Sequence, residues 1–153
     1  MKSLWRSLGA VAAMAAALTG APALAQQTGP EGMWGCEMTY TALDNSGNRT
    51  SGYVKKYMMG VYQGGAMEAR GSTLGVGGQS EFQAQGQWQV QQNMFMAQAQ
   101  GMEQSAFGTM PTMFIMMGQL ASDGRTMSFT NETPDPSRSY IMDRSIFMCQ
   151  RQG

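Results

Sequence analysis

Methionine is the residue type in this chain whose abundance and spacing could most readily do chemistry. Fifteen of the seventeen methionines lie after residue 25, which is several times a usual share. Two short repeats stand out, Met94-x-Met96 and Met110-x-x-Met113-x-x-Met116. Thioether sulfurs are soft ligands that select Cu(I), but flexible methionines also fill irregular cores and form adaptable contact surfaces. Core filling, copper binding and a contact surface for a protein or lipid partner therefore remain open.

Several kinds of catalytic site are excluded by composition. The chain contains no histidine, which removes Ser-His-Asp triads, histidine acid–base pairs and histidine zinc sites. Its carboxylates are spread singly, and no pair stands out by its spacing. We therefore predict a protein that is not an enzyme, and we assign it no catalytic residues, no cofactor and no metal ligands in the primary interpretation.

The two cysteines, Cys36 and Cys149, lie near opposite ends of the chain after residue 25. In an oxidising compartment an isolated pair of this kind most simply forms a disulfide. A redox-active pair would usually have the C-x-x-C spacing, which is absent here. The spacing therefore favours a structural disulfide between Cys36 and Cys149.

The first 25 residues have the pattern of a secretory signal peptide. Lys2 and Arg6 precede an apolar run over Leu8–Leu18, and Ala23-Leu24-Ala25 forms an A-x-A cleavage site. We therefore expect residues 1–25 to be a signal peptide, residues 26–153 to form a single domain, and the mature protein to be periplasmic or secreted.

The expected mature chain has features that limit its partners. It carries a net charge of −2, because two of the ten basic residues and none of the ten acidic ones lie in residues 1–25. Nucleic-acid binding needs concentrated basic residues, so no nucleic-acid partner is expected. No 18-residue apolar run follows residue 25, so no membrane span is expected after cleavage.

The clearest secondary structure is a β-hairpin over Glu81–Glu103. Small or apolar residues alternate strictly with glutamines up to Val90, and the alternation resumes at Phe95 on the second strand. A two-residue turn at Gln92-Asn93 pairs Val90 with Phe95 and Trp88 with Ala97. This register places Trp88 on the core face and places Met94 and Met96 on the outer, glutamine-rich face.

Weaker alternation predicts further strands along the rest of the chain. These are Gly32–Tyr40, Tyr53–Tyr62, Ala66–Arg70, Thr112–Ala121, Arg125–Asn131 and Ser139–Gln150. Thr109–Leu120 is the only candidate helix, and Gly71–Gly78 is predicted to be a flexible loop. About eight strands whose first and last are joined by a disulfide favour an all-β antiparallel up-and-down barrel. A two-sheet β-sandwich is the alternative.

A short motif supports the barrel interpretation. Gly32-Met33-Trp34 resembles the G-x-W motif that opens the first strand of lipocalin-like proteins, and Gly86-Gln87-Trp88 repeats the pattern in mid-chain. The match covers one tripeptide together with the strand count. The resemblance implies a small exported barrel with Trp34 at its floor.

Together these patterns predict an exported, non-catalytic binding protein. Its partner would be a small hydrophobic molecule or an envelope protein, held at the barrel mouth or on the glutamine- and methionine-rich face. The predicted ligand-binding residues are Trp34, Met38, Trp88, Phe129, Met94 and Met96. The alternative function is a periplasmic protein that binds Cu(I) through methionine.

Overall fold

The computed structural model describes residues 29–134 and 141–153, so the expected signal peptide lies outside the described residues. Eight strands follow one another along the chain. They are β1 (Gly32–Leu43), β2 (Arg49–Val61), β3 (Ala66–Gly75), β4 (Gly78–Gln91), β5 (Met94–Ser105), β6 (Gly108–Leu120), β7 (Thr126–Pro134) and β8 (Ile141–Arg151). Every neighbouring pair is antiparallel, and β8 returns to pair with β1, so the sheet closes into a ring. The predicted fold class is confirmed.

The disulfide lies at the junction that closes the ring. Cys36 and Cys149 are directly opposite each other in the β1–β8 pairing, and their sulfurs are bonded. Both side chains are buried and belong to the same core cluster as Trp34 and Phe147. The predicted disulfide is confirmed.

The central hairpin has the register that the sequence predicts. Val90 pairs with Phe95 and Trp88 with Ala97 across the β4–β5 turn. Gln92 and Asn93 both have positive φ, at 50° and 65°, as a two-residue type I′ turn requires. Two glycines of this hairpin allow the strands to approach closely. A side-chain carbon at Gly86 would lie 1.9 Å from the carbonyl oxygen of Gln98, and one at Gly101 would lie 1.8 Å from that of Gln83.

Two segments differ from the sequence-based predictions. The predicted loop Gly71–Gly78 is mostly strand, because β3 continues to Gly75 and β4 begins at Gly78 after a two-residue turn. The candidate helix Thr109–Leu120 lies within β6. Both segments gain strand hydrogen bonds from their neighbours in the sheet, β2 and β4 for the first and mainly β5 for the second, and this pairing overrides local propensity.

The two ends of the barrel are closed to different extents. At the end where β1 begins, Trp34 is fully buried, its indole N–H donates to the carbonyl of Pro30 at 2.7 Å, and the guanidinium of Arg151 lies 4.9 Å from its ring. Trp88 stacks on Phe95 at the same end. The opposite end holds the β3–β4 and β5–β6 turns, and we call it the mouth.

The β6–β7 junction is the least paired part of the described sheet. Its only residue pairs are Gln119 with Ser128 and Leu120 with Met127, next to the closed end. Towards the mouth the two strands separate. Pro111 lies on this part of β6, where the absence of an N–H donor costs no hydrogen bond to a neighbouring strand.

The disulfide should contribute strongly to stability because it closes most of the chain into one loop. Replacing both cysteines by alanine should lower the free energy of unfolding by about 4 kcal/mol, the entropy expected for a loop of more than about 100 residues. Urea unfolding without reductant measures the difference. Reductant should destabilise the wild type and leave the double variant unchanged; equal stability of the two oxidised proteins would contradict the prediction.

Candidate functional site

A cavity of about 400 Å³ opens at the mouth of the barrel. Residues from β1 to β6 and from the turns β3–β4 and β5–β6 surround it. Its lining combines aromatic, aliphatic and hydroxyl-bearing side chains, among them Tyr40, Tyr53, Thr73, Val76, Ser80, Glu103, Ser105, Phe107 and Met110. The cavity is therefore apolar at its rim and polar at its base.

A carboxylate with two donors forms the polar base of the cavity. The Lys55 ammonium lies 3.5 Å from Oε2 of Glu103, and the Ser80 hydroxyl donates to Oε1 of Glu103 at 2.5 Å. The side chains of Lys55 and Glu103 are only 10% and 21% exposed. Because opposite charges this close largely offset each other, the base of the cavity presents little net charge to a ligand.

The surroundings of Glu103 keep it ionised. Burial by itself raises the pKa of this carboxyl. The hydrogen bond from Ser80, the charge of Lys55, and hydrogen bonding with Thr73 and Lys55 together outweigh burial and lower the pKa below its ordinary value. Glu103 is therefore a charged hydrogen-bond acceptor at neutral pH.

Aromatic rings surround Lys55 and separate the mouth from the core beneath it. The ammonium lies 4.7 Å from the centre of the Phe82 ring and 5.7 Å from that of Tyr53. Tyr53 stacks on Tyr40 with a centroid separation of 5.1 Å. Below them, Phe82 packs with Tyr57 and Phe114. Burial, followed by the nearby Tyr40 and carboxylates, raises the pKa of Tyr53, which therefore remains a neutral hydroxyl donor.

One hydroxyl at the cavity is buried without a hydrogen bond of normal geometry. Oγ1 of Thr73 is buried, and no described group bonds it at normal hydrogen-bond geometry. Its hydrogen-bonding interaction with the Glu103 carboxylate helps to lower the pKa of that group, so the bonding capacity of the hydroxyl is only partly used. An unpaired buried hydroxyl costs about 1–3 kcal/mol, so a ligand that satisfies it gains from doing so.

The rim of the cavity exposes large apolar side chains. Phe107 and Val76, at the tips of the two mouth turns, are each 87% exposed, and Met110 is 61% exposed. Water contact with these side chains is unfavourable, and a bound apolar molecule would relieve it.

None of the six predicted ligand-binding residues lines the mouth cavity. Trp34 and Trp88 lie at the closed end, where the indole N–H of Trp88 donates to the carbonyl of Tyr62 at 2.9 Å. Met38 and Phe129 face inwards and are half-buried against the core. Their ligand-binding roles remain predictions, and the cavity shows no contact that would support them.

The methionines divide between the two faces of the sheet. Met94 and Met96 lie on the outer face, as predicted, and are half-buried. The three-residue spacing of the second repeat sends Met110 and Met116 inwards and Met113 outwards, because side chains alternate along a strand. That repeat therefore does not bring three sulfurs together. No group of three or more Cys, Asp or Glu side chains suited to a metal ion occurs among the described residues.

The sequence-based predictions do not include the polar base of the mouth, although the sequence carries a signal for it. Glu103 continues the inward alternation of Phe95 and Gly101 along β5. Lys55 likewise lies on an inward-facing position of β2, between the inward-facing Tyr53 and Tyr57. An acid and a base on inward positions near strand ends would have indicated an ion pair inside the barrel.

Comparisons with known proteins add no family to this description. A scan against protein-family models finds no match for the chain, and neither the search of curated proteins nor that of solved structures finds one. Within the described ranges no helix is long and apolar enough to cross a membrane. The geometry of the molecule therefore carries the functional argument.

Replacing Glu103 should destabilise the barrel in a pH-dependent way. Glu103→Gln leaves Lys55 buried without its counter-charge, so at pH 7 the free energy of unfolding should fall by about 1–3 kcal/mol. Because folding lowers the pKa of Glu103, its contribution is present above the ordinary glutamate value of 4.5 and is lost as pH falls through the lower folded value. Urea unfolding at several pH values measures this difference.

Glu37→Gln provides the matched control. Glu37 bridges the neighbouring Lys56 at 3.3 Å on the outer face, where both side chains are more than half exposed. This substitution should change stability by less than about 0.5 kcal/mol at any pH. Equal effects of the two substitutions at pH 7 would show that the Lys55–Glu103 pair is no more stabilising than a surface pair.

Proposed function

We propose that this protein is an exported binding protein that holds one small, largely apolar molecule in the mouth of the barrel and does not transform it. The volume of the cavity lies within the range of small-molecule sites, roughly 300–1,000 Å³. Such sites combine apolar walls with a few polar groups that orient the ligand. In this cavity the rim supplies the apolar walls and the base supplies the polar groups.

The base of the cavity favours a ligand with one uncharged hydrogen-bonding group. An anionic group would approach the carboxylate of Glu103, and a cationic group would compete with Lys55, which already neutralises that carboxylate. A hydroxyl can accept a bond from Thr73 and donate one to Glu103 or Ser80. The single observation that carries the proposal is an open, apolar-rimmed cavity whose base places the buried Thr73 hydroxyl beside the ionised Glu103 carboxylate.

Export is part of the proposal and has separate support. Residues 1–25 have the sequence pattern of a signal peptide, and the Cys36–Cys149 disulfide is of the kind that persists in oxidising compartments. The resemblance of Gly32-Met33-Trp34 to the lipocalin-like motif agrees with a small exported binding barrel. A periplasmic or secreted protein that carries a small hydrophobic molecule accounts for these features together.

Two ligands that differ by one hydroxyl test the proposal. 2-Naphthol and naphthalene share the same apolar body, and the wild-type protein should bind 2-naphthol about three- to tenfold more tightly, the value of one net hydrogen bond. Thr73→Val should reduce that preference and leave naphthalene binding nearly unchanged. It should not lower stability, because the hydroxyl that it removes forms no hydrogen bond of normal geometry. Titration calorimetry at neutral pH measures both affinities.

Thr130→Val is the control, because Thr130 is an exposed threonine on the outer face of β7. It should bind both ligands as the wild type does. Failure of both ligands to bind the wild type, or an equal affinity for the two, would contradict the proposed site. A loss of preference in Thr130→Val as well would show that the hydroxyl is recognised elsewhere.

A further inference from the structure

Three methionines occupy adjoining register positions on the outer face of the barrel, near its closed end. Met96 on β5 is directly opposite Met117 on β6, and Met94 lies two residues before Met96 on the same face. The spacing of Met94 and Met96 is visible in the sequence. Met117 lies beside them only because of the β5–β6 register. We call Met94, Met96 and Met117 the exterior methionine cluster.

The hydrogen-bond pattern brings two of these side chains especially close. The amide of Leu120 donates to the carbonyl of Asn93 at 2.9 Å, which makes Asn93 and Leu120 a hydrogen-bonded pair. Pairs alternate along an antiparallel ladder, so Met96 and Met117, three residues further along each strand, form a non-hydrogen-bonded pair. In such pairs the Cα atoms approach to about 4.5 Å, and the side chains lie side by side.

The cluster is partly shielded from solvent. Met94 and Met96 are half-buried, and Met117 is 39% exposed. Met96 and Met117 line a surface depression of about 370 Å³, together with Gln87, Gln89, Gln98 and Ile115. Each of the three side chains therefore keeps part of its surface in contact with solvent, where a small ion can reach it.

The exterior methionine cluster combines soft thioether sulfurs with uncharged glutamine neighbours. The cross-strand neighbours of Met94 are Gln91 and Gln119, and Met96 has Gln89 on its other side. Hard and borderline ions such as Mg²⁺ and Zn²⁺ prefer carboxylate, imidazole or thiolate ligands, and the cluster offers only thioethers and amides. Thioether ligands select Cu(I).

We propose that the exterior methionine cluster is a Cu(I) site in which the sulfurs of Met94, Met96 and Met117 are the ligands. The ion enters and leaves as Cu(I), so binding involves no change of oxidation state. This site is separate from the mouth cavity, and the two can be occupied independently.

Other outward-facing methionines form less complete sets. Met113 pairs with Gln100, and Met102 is its diagonal neighbour, which gives two sulfurs. Met148 pairs with Glu37 on one side and Ser128 on the other, and it is 62% exposed. If exposure alone decided where Cu(I) binds, Met148 would bind it first. If several neighbouring sulfurs are needed, the exterior methionine cluster would bind it first.

Anaerobic titration of the whole protein with Cu(I), against a chromogenic Cu(I) chelator, tests the proposal. The wild type should retain one Cu(I) per chain, and Met96→Leu and Met117→Leu should each weaken its affinity by about tenfold or more, because each removes one of three ligands. Leucine nearly conserves volume at these outer positions, so the barrel should remain folded. Zn²⁺ should not displace the Cu(I).

Met148→Leu is the matched control and should bind Cu(I) as the wild type does. NMR of methionine methyl groups gives a second, independent readout, in which Cu(I) should shift the signals of Met94, Met96 and Met117 and spare that of Met148. Three results would overturn the site: no Cu(I) retained against the chelator, an affinity insensitive to Met96→Leu and Met117→Leu, or methyl shifts spread over all exposed methionines. Each of these leaves naphthol binding at the mouth unaffected and so does not test that proposal.

Discussion

Closure of the sheet by the pairing of β1 with β8 is the constraint on which the rest of the structure depends. Cys36 and Cys149 face each other in that pairing, so the covalent bond fixes its register. Once the ring is closed, alternate residues of each strand must face a confined interior. The aromatic core, the buried ion pair and the outer methionine face all follow from that single division.

The interior changes character from one end to the other, and the proposed function depends on this change. At the closed end, Trp34 and Phe95 are fully buried and fill the available space. Towards the mouth, the inward positions carry Lys55, Thr73 and Glu103, which no apolar core would contain. Burying polar groups costs stability unless they are paired, and Lys55 and Glu103 pair with each other whereas Thr73 forms no hydrogen bond of normal geometry.

Local alternation predicts much of this architecture but not its sites. The β4–β5 hairpin could be predicted to the residue, because its two strands are adjacent in sequence and its turn residues tolerate positive φ. The Gly71–Gly78 segment could not, since four of its eight residues are glycines and leave no alternation of side chains to indicate the strands that pair with β2 and β4. Both proposed sites combine side chains from different strands, such as Lys55 with Glu103 and Met96 with Met117. Their proximity depends on registers that no single segment encodes.

Residue-resolved NMR tests most directly whether a small apolar molecule binds in the mouth of the barrel, as proposed. Unlabelled 2-naphthol would be titrated into the isotope-labelled protein while backbone and methyl signals are followed. Binding in the mouth predicts chemical-shift changes confined to the residues around Thr73, Val76, Ser80 and Phe107. Shifts at the closed end near Trp34 and Trp88, shifts centred on the outer strands, or no shifts at all would contradict it.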